Sequence, residues 1–116
     1  MSVEENKKIA RLYHELRPED VDRIHTPDLI GHFNPGTGFD WNREGHKRNW
    51  SKEENQGIRD IIHELVAEGD YVAVRFARTG TYQGRDMQVE MMQMMRFEDG
   101  KIAEIWEYAD PKQWQE

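Results

Sequence analysis

From residue 58 onward, apolar and polar positions alternate with a period of two, the pattern of strands that bury one face. Ile61-Ile62-His63-Glu64-Leu65-Val66-Ala67-Glu68 reads as a strand, as do 71–79 and 87–97. Gly69-Asp70, the stretch 80–85 and Asp99-Gly100 supply the turns between them. Gly100 accepts the positive φ that a tight hairpin turn demands. A further strand runs from this turn to Asp110. Consecutive strands joined by short turns predict an antiparallel meander. The first half of the chain has a different rhythm. Ser2-Val3-Glu4-Glu5 is a capping box, and Ile9, Leu12, Tyr13 and Leu16 fall on one stripe, which predicts a helix over 3–16. Pro18-Glu19-Asp20 starts a short second helix with Val21 and Ile24 on its apolar face. Asn42 caps a third over 43–54, with Trp50 as its one large apolar residue. Residues 26–40 read as mostly irregular, with a short extended segment in 28–34 and a turn-rich loop at Asn34-Pro35-Gly36-Thr37-Gly38. Helices first and strands after predict an α+β fold.

The last strand organises the functional reading. Strict alternation puts Ile102, Glu104, Trp106, Tyr108 and Asp110 on one face. A carboxylate at the end of an aromatic-lined strand fits a small-molecule pocket with an acid/base group. The other reading is an amphipathic edge strand on which Asp110 caps whatever follows Pro111. In a pocket, burial beside Trp106 and Tyr108 would lift the Asp110 carboxyl above its ordinary value of about 3.9. Met91, Met92, Met94 and Met95 place Met on both faces of the preceding strand. One side packs on the helices; the other is expected to pack on a second subunit, giving a homodimer through the sheet. His63 alternates with Ile61 and Leu65 and so points to an apolar face, where a hydrogen-bonded core histidine is the commoner role. His32 follows an aliphatic pair and precedes a loop. Phe39 and Trp41 stand beside that loop and either line a mouth or pin the loop down.

Composition narrows the chemistry. The 116 residues form one domain, 1–116. The net charge is −7 with no basic stripe, which argues against nucleic acid and against an anionic membrane surface. There is no Cys, so no disulfide, thiol nucleophile or Cys-based zinc site is expected. The five His show no metal-ligand spacing, and no metal is expected. Nucleophile-elbow, dinucleotide and phosphate-loop patterns are missing too. What remains is carboxylate and His acid/base work without a cofactor. No apolar run has membrane-spanning length and no signal-peptide pattern opens the chain, so a soluble, cytoplasmic protein is expected.

Several stretches in order resemble the SnoaL-like polyketide cyclase family of the nuclear-transport-factor-2-like superfamily. They are the opening helix from Asn6 to Leu16, Asp28-Leu29-Ile30-Gly31-His32, Gly45-His46-Lys47, the hairpin Glu68 to Arg75 with Gly80-Thr81, and Arg96 to Ile102 with Glu104, Trp106 and Asp110. The resemblance implies a cone-shaped, curved antiparallel sheet wrapped around N-terminal helices, with a deep apolar pocket for a hydrophobic small molecule. It implies Asp110 as general acid/base, with His32 polarising or orienting a substrate carbonyl. Trp106, Tyr108, Glu104, Tyr13, Trp41, Trp50 and His63 are the expected pocket residues. Cyclisation, isomerisation or dehydration is the expected reaction class; a non-catalytic binding protein or a structural dimer is the alternative. The loop before the third strand is cut to Gly84-Arg85-Asp86, shorter than the family's, which argues against a large polyketide substrate.

Overall fold

The helices begin where capping chemistry allows. The computed structural model describes residues 2–82 and 84–114 and opens on α1 (Val3–Tyr13). Ser2 Oγ accepts from the Glu5 N–H at 3.0 Å, and the Glu5 carboxylate reaches back to Ser2. α1 stops short of its expected end: His14 is the C-cap and Leu16 takes a positive φ of 55°. A 3-10 turn at Pro18–Asp20 leads into α2 (Val21–Ile24). α3 (Arg43–Ser51) starts as read, with Asn42 Oδ1 accepting from the Gly45 N–H at 2.8 Å.

Six strands form one sheet: β1 (His25–Phe33), β2 (Phe39–Asn42), β3 (Arg59–Glu68), β4 (Tyr71–Tyr82), β5 (Arg85–Glu98) and β6 (Lys101–Tyr108). Their order is β2-β1-β6-β5-β4-β3. Neighbours are antiparallel except β1 and β6, which run parallel. β2 and β3 are free edges, so the sheet does not close into a barrel. The β3–β6 meander agrees with the sequence reading. β1 contains the short extended segment expected within 28–34 and begins before it; β2 is additional, in a stretch that reads as irregular. Pairing with β6 outweighs the weak local strand preference of β1. Gly31 has a packing role. Trp41 lies opposite it on β2, and a Cβ at Gly31 would overlap the indole ring.

The sheet curves around the helices. A straight strand of the length of β5 would span about 45 Å, longer than the 41 Å long axis of the molecule. Its concave face carries the core, built on Val72, Val74, Phe76, Met91, Met95 and Ile105 against Ala10, Tyr13 and Ile24 from the helices. Met92 and Met94 point the other way and are exposed.

One irregularity decides which face of β6 looks inward. Arg96 pairs with Glu104, but Phe97 pairs with Ile102, leaving Ala103 as an extra residue in β6. Such a bulge inverts the side-chain phase beyond it. Ile102 and Ala103 are both buried; past them Ile105 and Glu107 face the core, while Glu104, Trp106 and Tyr108 face outward. This corrects the face assigned by strict alternation. Ile102 does not share a side with the four residues grouped with it.

Candidate active site

Three neighbouring strands each carry one polar residue in an otherwise apolar inward row. Arg78 follows Val72, Val74 and Phe76 on β4, Gln93 sits between Met91 and Met95 on β5, and Glu107 follows Ile105 on β6. All three are buried. Gln93 and Glu107 are direct cross-strand partners. At the C-cap of α1, His14 drops onto the same level, and Asp60 joins from β3.

These residues form one continuous chain of hydrogen bonds. Arg78 Nε and Nη2 donate to the two oxygens of Asp60 at 2.8 and 2.9 Å. Asp60 Oδ2 lies 2.8 Å from His14 Nδ1, and His14 Nε2 lies 2.8 Å from Gln93 Oε1. Gln93 Nε2 donates to Glu107 Oε2 at 2.6 Å, and the Tyr13 hydroxyl donates to the same oxygen at 3.1 Å. Burial works against a charge on Asp60, but the guanidinium of Arg78 and the bonds from Arg78 and His14 outweigh it and hold the carboxyl below its ordinary range. Burial, then the charge of Glu107, pushes the Tyr13 phenol well above its usual value, so it stays a neutral donor.

Glu107 Oε1 has no hydrogen-bond partner among the described residues, and it is not sealed inside the protein. Glu107 lines a cleft of about 900 Å³. Tyr13, Trp41, His46, Trp50 and Met91 wall the cleft; Arg78 and Glu107 are its buried charged groups. The chain's own Met and Trp side chains leave this space unfilled. His46 stacks on Tyr13, with ring centroids 5.0 Å apart. Burial drives its pKa well below the usual value, so it is an uncharged imidazole. Arg78 is sandwiched against the Trp50 and Phe76 rings at 5.0 and 5.5 Å. Its Nη1 has no acceptor among the described residues.

The expected site residues divide between the two faces of the sheet. Tyr13, Trp41 and Trp50 line the cleft. His32, Glu104, Trp106 and Tyr108 do come together, but on the outer face, because of the bulge at Ala103. There His32 bridges Glu104 Oε2 at 2.9 Å and Asp40 Oδ1 at 3.2 Å and stacks on Trp106. Its hydrogen bond to Glu104 raises its pKa. His63 is exposed and pairs with Glu90 at 3.2 Å, not with the apolar face. Asp110 is exposed outside the cleft, its Oδ1 accepting from the Lys112 N–H at 3.0 Å as it caps a closing 3-10 turn. These placements take Asp110, His32 and His63 out of the pocket. Glu107, Gln93, His14, Asp60, Arg78 and His46 were missed. The readable signal was a polar residue interrupting an apolar inward row on three successive strands. Among the described residues, no group of three or more His, Asp or Glu could hold a metal ion.

Behind this cluster, His25 is fully buried; its Nδ1 donates to the Val21 carbonyl, and burial lowers its pKa to about 4. Below about pH 6.5 the unfolded chain therefore takes up a proton that the folded chain refuses. Stability is expected to fall between pH 7 and 4.5, by about 2 kcal/mol from His25 alone. Urea unfolding at both pH values measures this, and His25→Gln should flatten the slope. A wild-type stability that does not fall on acidification would contradict it.

The sequence profile of the SnoaL-like domain family matches residues 7–105. No curated relative matches the chain. Among solved structures, IdmH of Streptomyces antibioticus, named as a candidate polyketide cyclase, is 27% identical with a TM-score of 0.73, covering 94% of each chain. A candidate polyketide cyclase of Bacillus cereus ATCC 10987 is 23% identical with a TM-score of 0.78, over 94% of this chain and 76% of that one. A candidate ketosteroid isomerase of Kribbella flavida DSM 17836 is 18% identical with a TM-score of 0.75, over 93% of this chain and 79% of that one. The last two share the fold. No helix among the described residues is long and apolar enough to cross a membrane. With a family match over most of its length, a curved six-stranded sheet and N-terminal helices, this chain belongs to the SnoaL-like domain family and has the nuclear-transport-factor-2-like fold.

Proposed function

We propose that the protein is a small-molecule enzyme that moves protons next to a carbonyl group without a cofactor, with Glu107 as general acid/base. The observation that carries this reading is a buried carboxylate at an aromatic-walled cleft, with one oxygen anchored and the other unpaired among the described residues. Glu107 Oε1 takes a proton from the carbon beside the carbonyl. The C–H electron pair moves into a C=C bond, and the carbonyl π pair moves onto oxygen as an enolate. Arg78 lines the same cleft, and its Nη1, with no acceptor among the described residues, is a donor for that oxygen. The protonated Glu107 then returns its proton to a second carbon (isomerisation), to the alkoxide formed by ring closure (cyclisation), or to a departing β-hydroxyl (dehydration). The rings of Tyr13, Trp41 and Trp50 suit a hydrophobic ligand. Relatives of this fold named as candidate cyclases and isomerases support a pocket enzyme.

Deuterium exchange tests the reading without knowledge of the natural substrate. A panel of aromatic ketones and β-keto esters is incubated with the protein in D₂O, and loss of the α-proton is followed by NMR. Enzyme-dependent exchange is expected for at least one member. Ligands that bind in the cleft but never exchange would leave a binding protein instead.

Two copies are further proposed to associate through the outer face. Ile61, Val66, Tyr71, Met92, Met94 and Tyr108 lie exposed there, and a single curved sheet has helices on its concave side only. Sedimentation should report twice the 13.9 kDa chain mass, and Met94→Lys should halve it. A wild-type species of 13.9 kDa at micromolar concentration would end this part of the reading.

A further inference from the structure

With the Gln93 amide oriented as the structure places it, the donors and acceptors in the buried chain admit only one direction. Asp60 is ionised and accepts from Nε and Nη2 of Arg78, so the nitrogen of His14 facing it must donate. Glu107 Oε2 accepts from the Gln93 amide nitrogen, which turns the amide oxygen of Gln93 toward His14. An amide oxygen cannot donate, so the second nitrogen of His14 must also carry a proton. His14 is then an imidazolium. Its position at the C-cap of α1, where the helix dipole favours a cation, supports this state.

The opposite amide orientation has different consequences. The Gln93 nitrogen would face His14, which would have to be neutral to accept. The amide oxygen would face Glu107 Oε2, which would have to carry a proton. Glu107 would then hold its proton on the anchored oxygen, away from the cleft. Both arrangements contain the same number of protons and the same net charge, so the orientation of one amide separates a Glu107 ready to act from one that is not.

We infer that Gln93 is a positioning residue: its amide, oriented by a cationic His14, reserves Glu107 Oε2 as an acceptor, so that any proton Glu107 carries rides on Oε1 at the cleft. The catalytic meaning of this arrangement rests on the acid/base reading of Glu107; the protonation of His14 does not. Glu107 can take a proton on Oε1 and give it back without any rearrangement of Gln93 or Tyr13. The charged and titratable groups around His14 are Asp60 from β3, Arg78 from β4, Glu107 from β6, Tyr13 beside it on α1 and uncharged His46 from α3. Glu15, Arg17, Glu19 and Arg59 line a shallow pocket together with His14 and Asp60.

The test is ¹⁵N NMR of histidine-labelled protein at pH 7.5, with the His14 ring assigned by its loss in His14→Gln. Wild type should show both ring nitrogens of His14 protonated. Gln93→Met should remove the Nε2 proton and leave the ring neutral. Gln93→Glu should restore the cation, because a carboxylate again accepts from Nε2. The same substitution sets a second carboxylate against Oε2, and the two must share a proton. α-Proton exchange at pH 7 should then fall by about tenfold or more, with its pH profile shifted upward. A neutral His14 in wild type overturns the inference whatever the exchange assay shows, and needs no Gln93 variant to fold. A cationic His14 in a protein that exchanges no substrate supports the donor chain and overturns only the catalytic reading of Glu107.

Discussion

Glu107→Gln lowers enzyme-dependent α-proton exchange by about 10²- to 10⁴-fold, the usual contribution of a positioned acid/base group. Asp110→Asn leaves the rate within about twofold, as expected of an exposed residue away from the cleft. The two substitutions make the same chemical change to two carboxylates close together in sequence, so their contrast separates the two faces of the fold. A glutamine at 107 still offers an oxygen to Tyr13 and Gln93, so the cleft keeps its shape while losing its base. Exchange followed by NMR for both variants, each checked for a cooperative unfolding transition, decides the matter. Equal losses, or a loss confined to Asp110→Asn, would contradict the assignment of Glu107.

Asp60→Asn destabilises the protein by about 3–5 kcal/mol, the range found when one partner of a buried ion pair is removed. The Asp60 side chain is fully buried and that of Arg78 is 9% exposed, so solvent cannot replace the lost charge. An asparagine also leaves Arg78 and the cationic His14 with a neutral partner. Burial opposes the charge on Arg78, yet the carboxylate of Asp60 more than offsets it and raises the pKa above the ordinary arginine value. The cation therefore cannot escape by losing its proton. Replacing both residues together, as Asp60→Leu with Arg78→Met, should recover much of the loss, because no buried charge remains. Urea unfolding of the two variants measures this. A single-variant cost below about 1 kcal/mol would mean that the pair is solvated, and the polar chain would lose its anchor.

The sequence carried the fold further than the site. Ser2 and Asn42 announce their helices through local chemistry alone. The alternation of β5 is regular enough to show which of its Met residues face each way. The full length of β1 was hidden because its pairing is long-range: it joins the sheet through β6, the far end of the chain, and β2 joins only through β1. The inward face of β6 was misread for a single physical reason. A bulge at Ala103 has no mark in the sequence, since neither Gly nor Pro is needed there, yet it reverses every side chain from Glu104 to Tyr108. The reading therefore gathered His32, Glu104, Trp106 and Tyr108 correctly onto one face, but on the wrong side of the sheet. Family likeness reinforced the choice of Asp110, which stands beyond the end of β6. The inward polar row of Arg78, Gln93 and Glu107 was available as a contradiction, because charged and amide side chains rarely sit between buried Val, Met and Ile without a purpose.

The most direct measurement is a crystal structure of the protein bound to a 2-naphthol probe, whose acidic hydroxyl mimics an enol. Its oxygen is expected in the cleft within hydrogen-bond reach of Glu107 Oε1, its rings against Tyr13 and Trp50, with Gln93 and Tyr13 still on Oε2. A probe seated instead on the outer face, between His32 and Trp106 or beside Asp110, would contradict the assignment of the cleft.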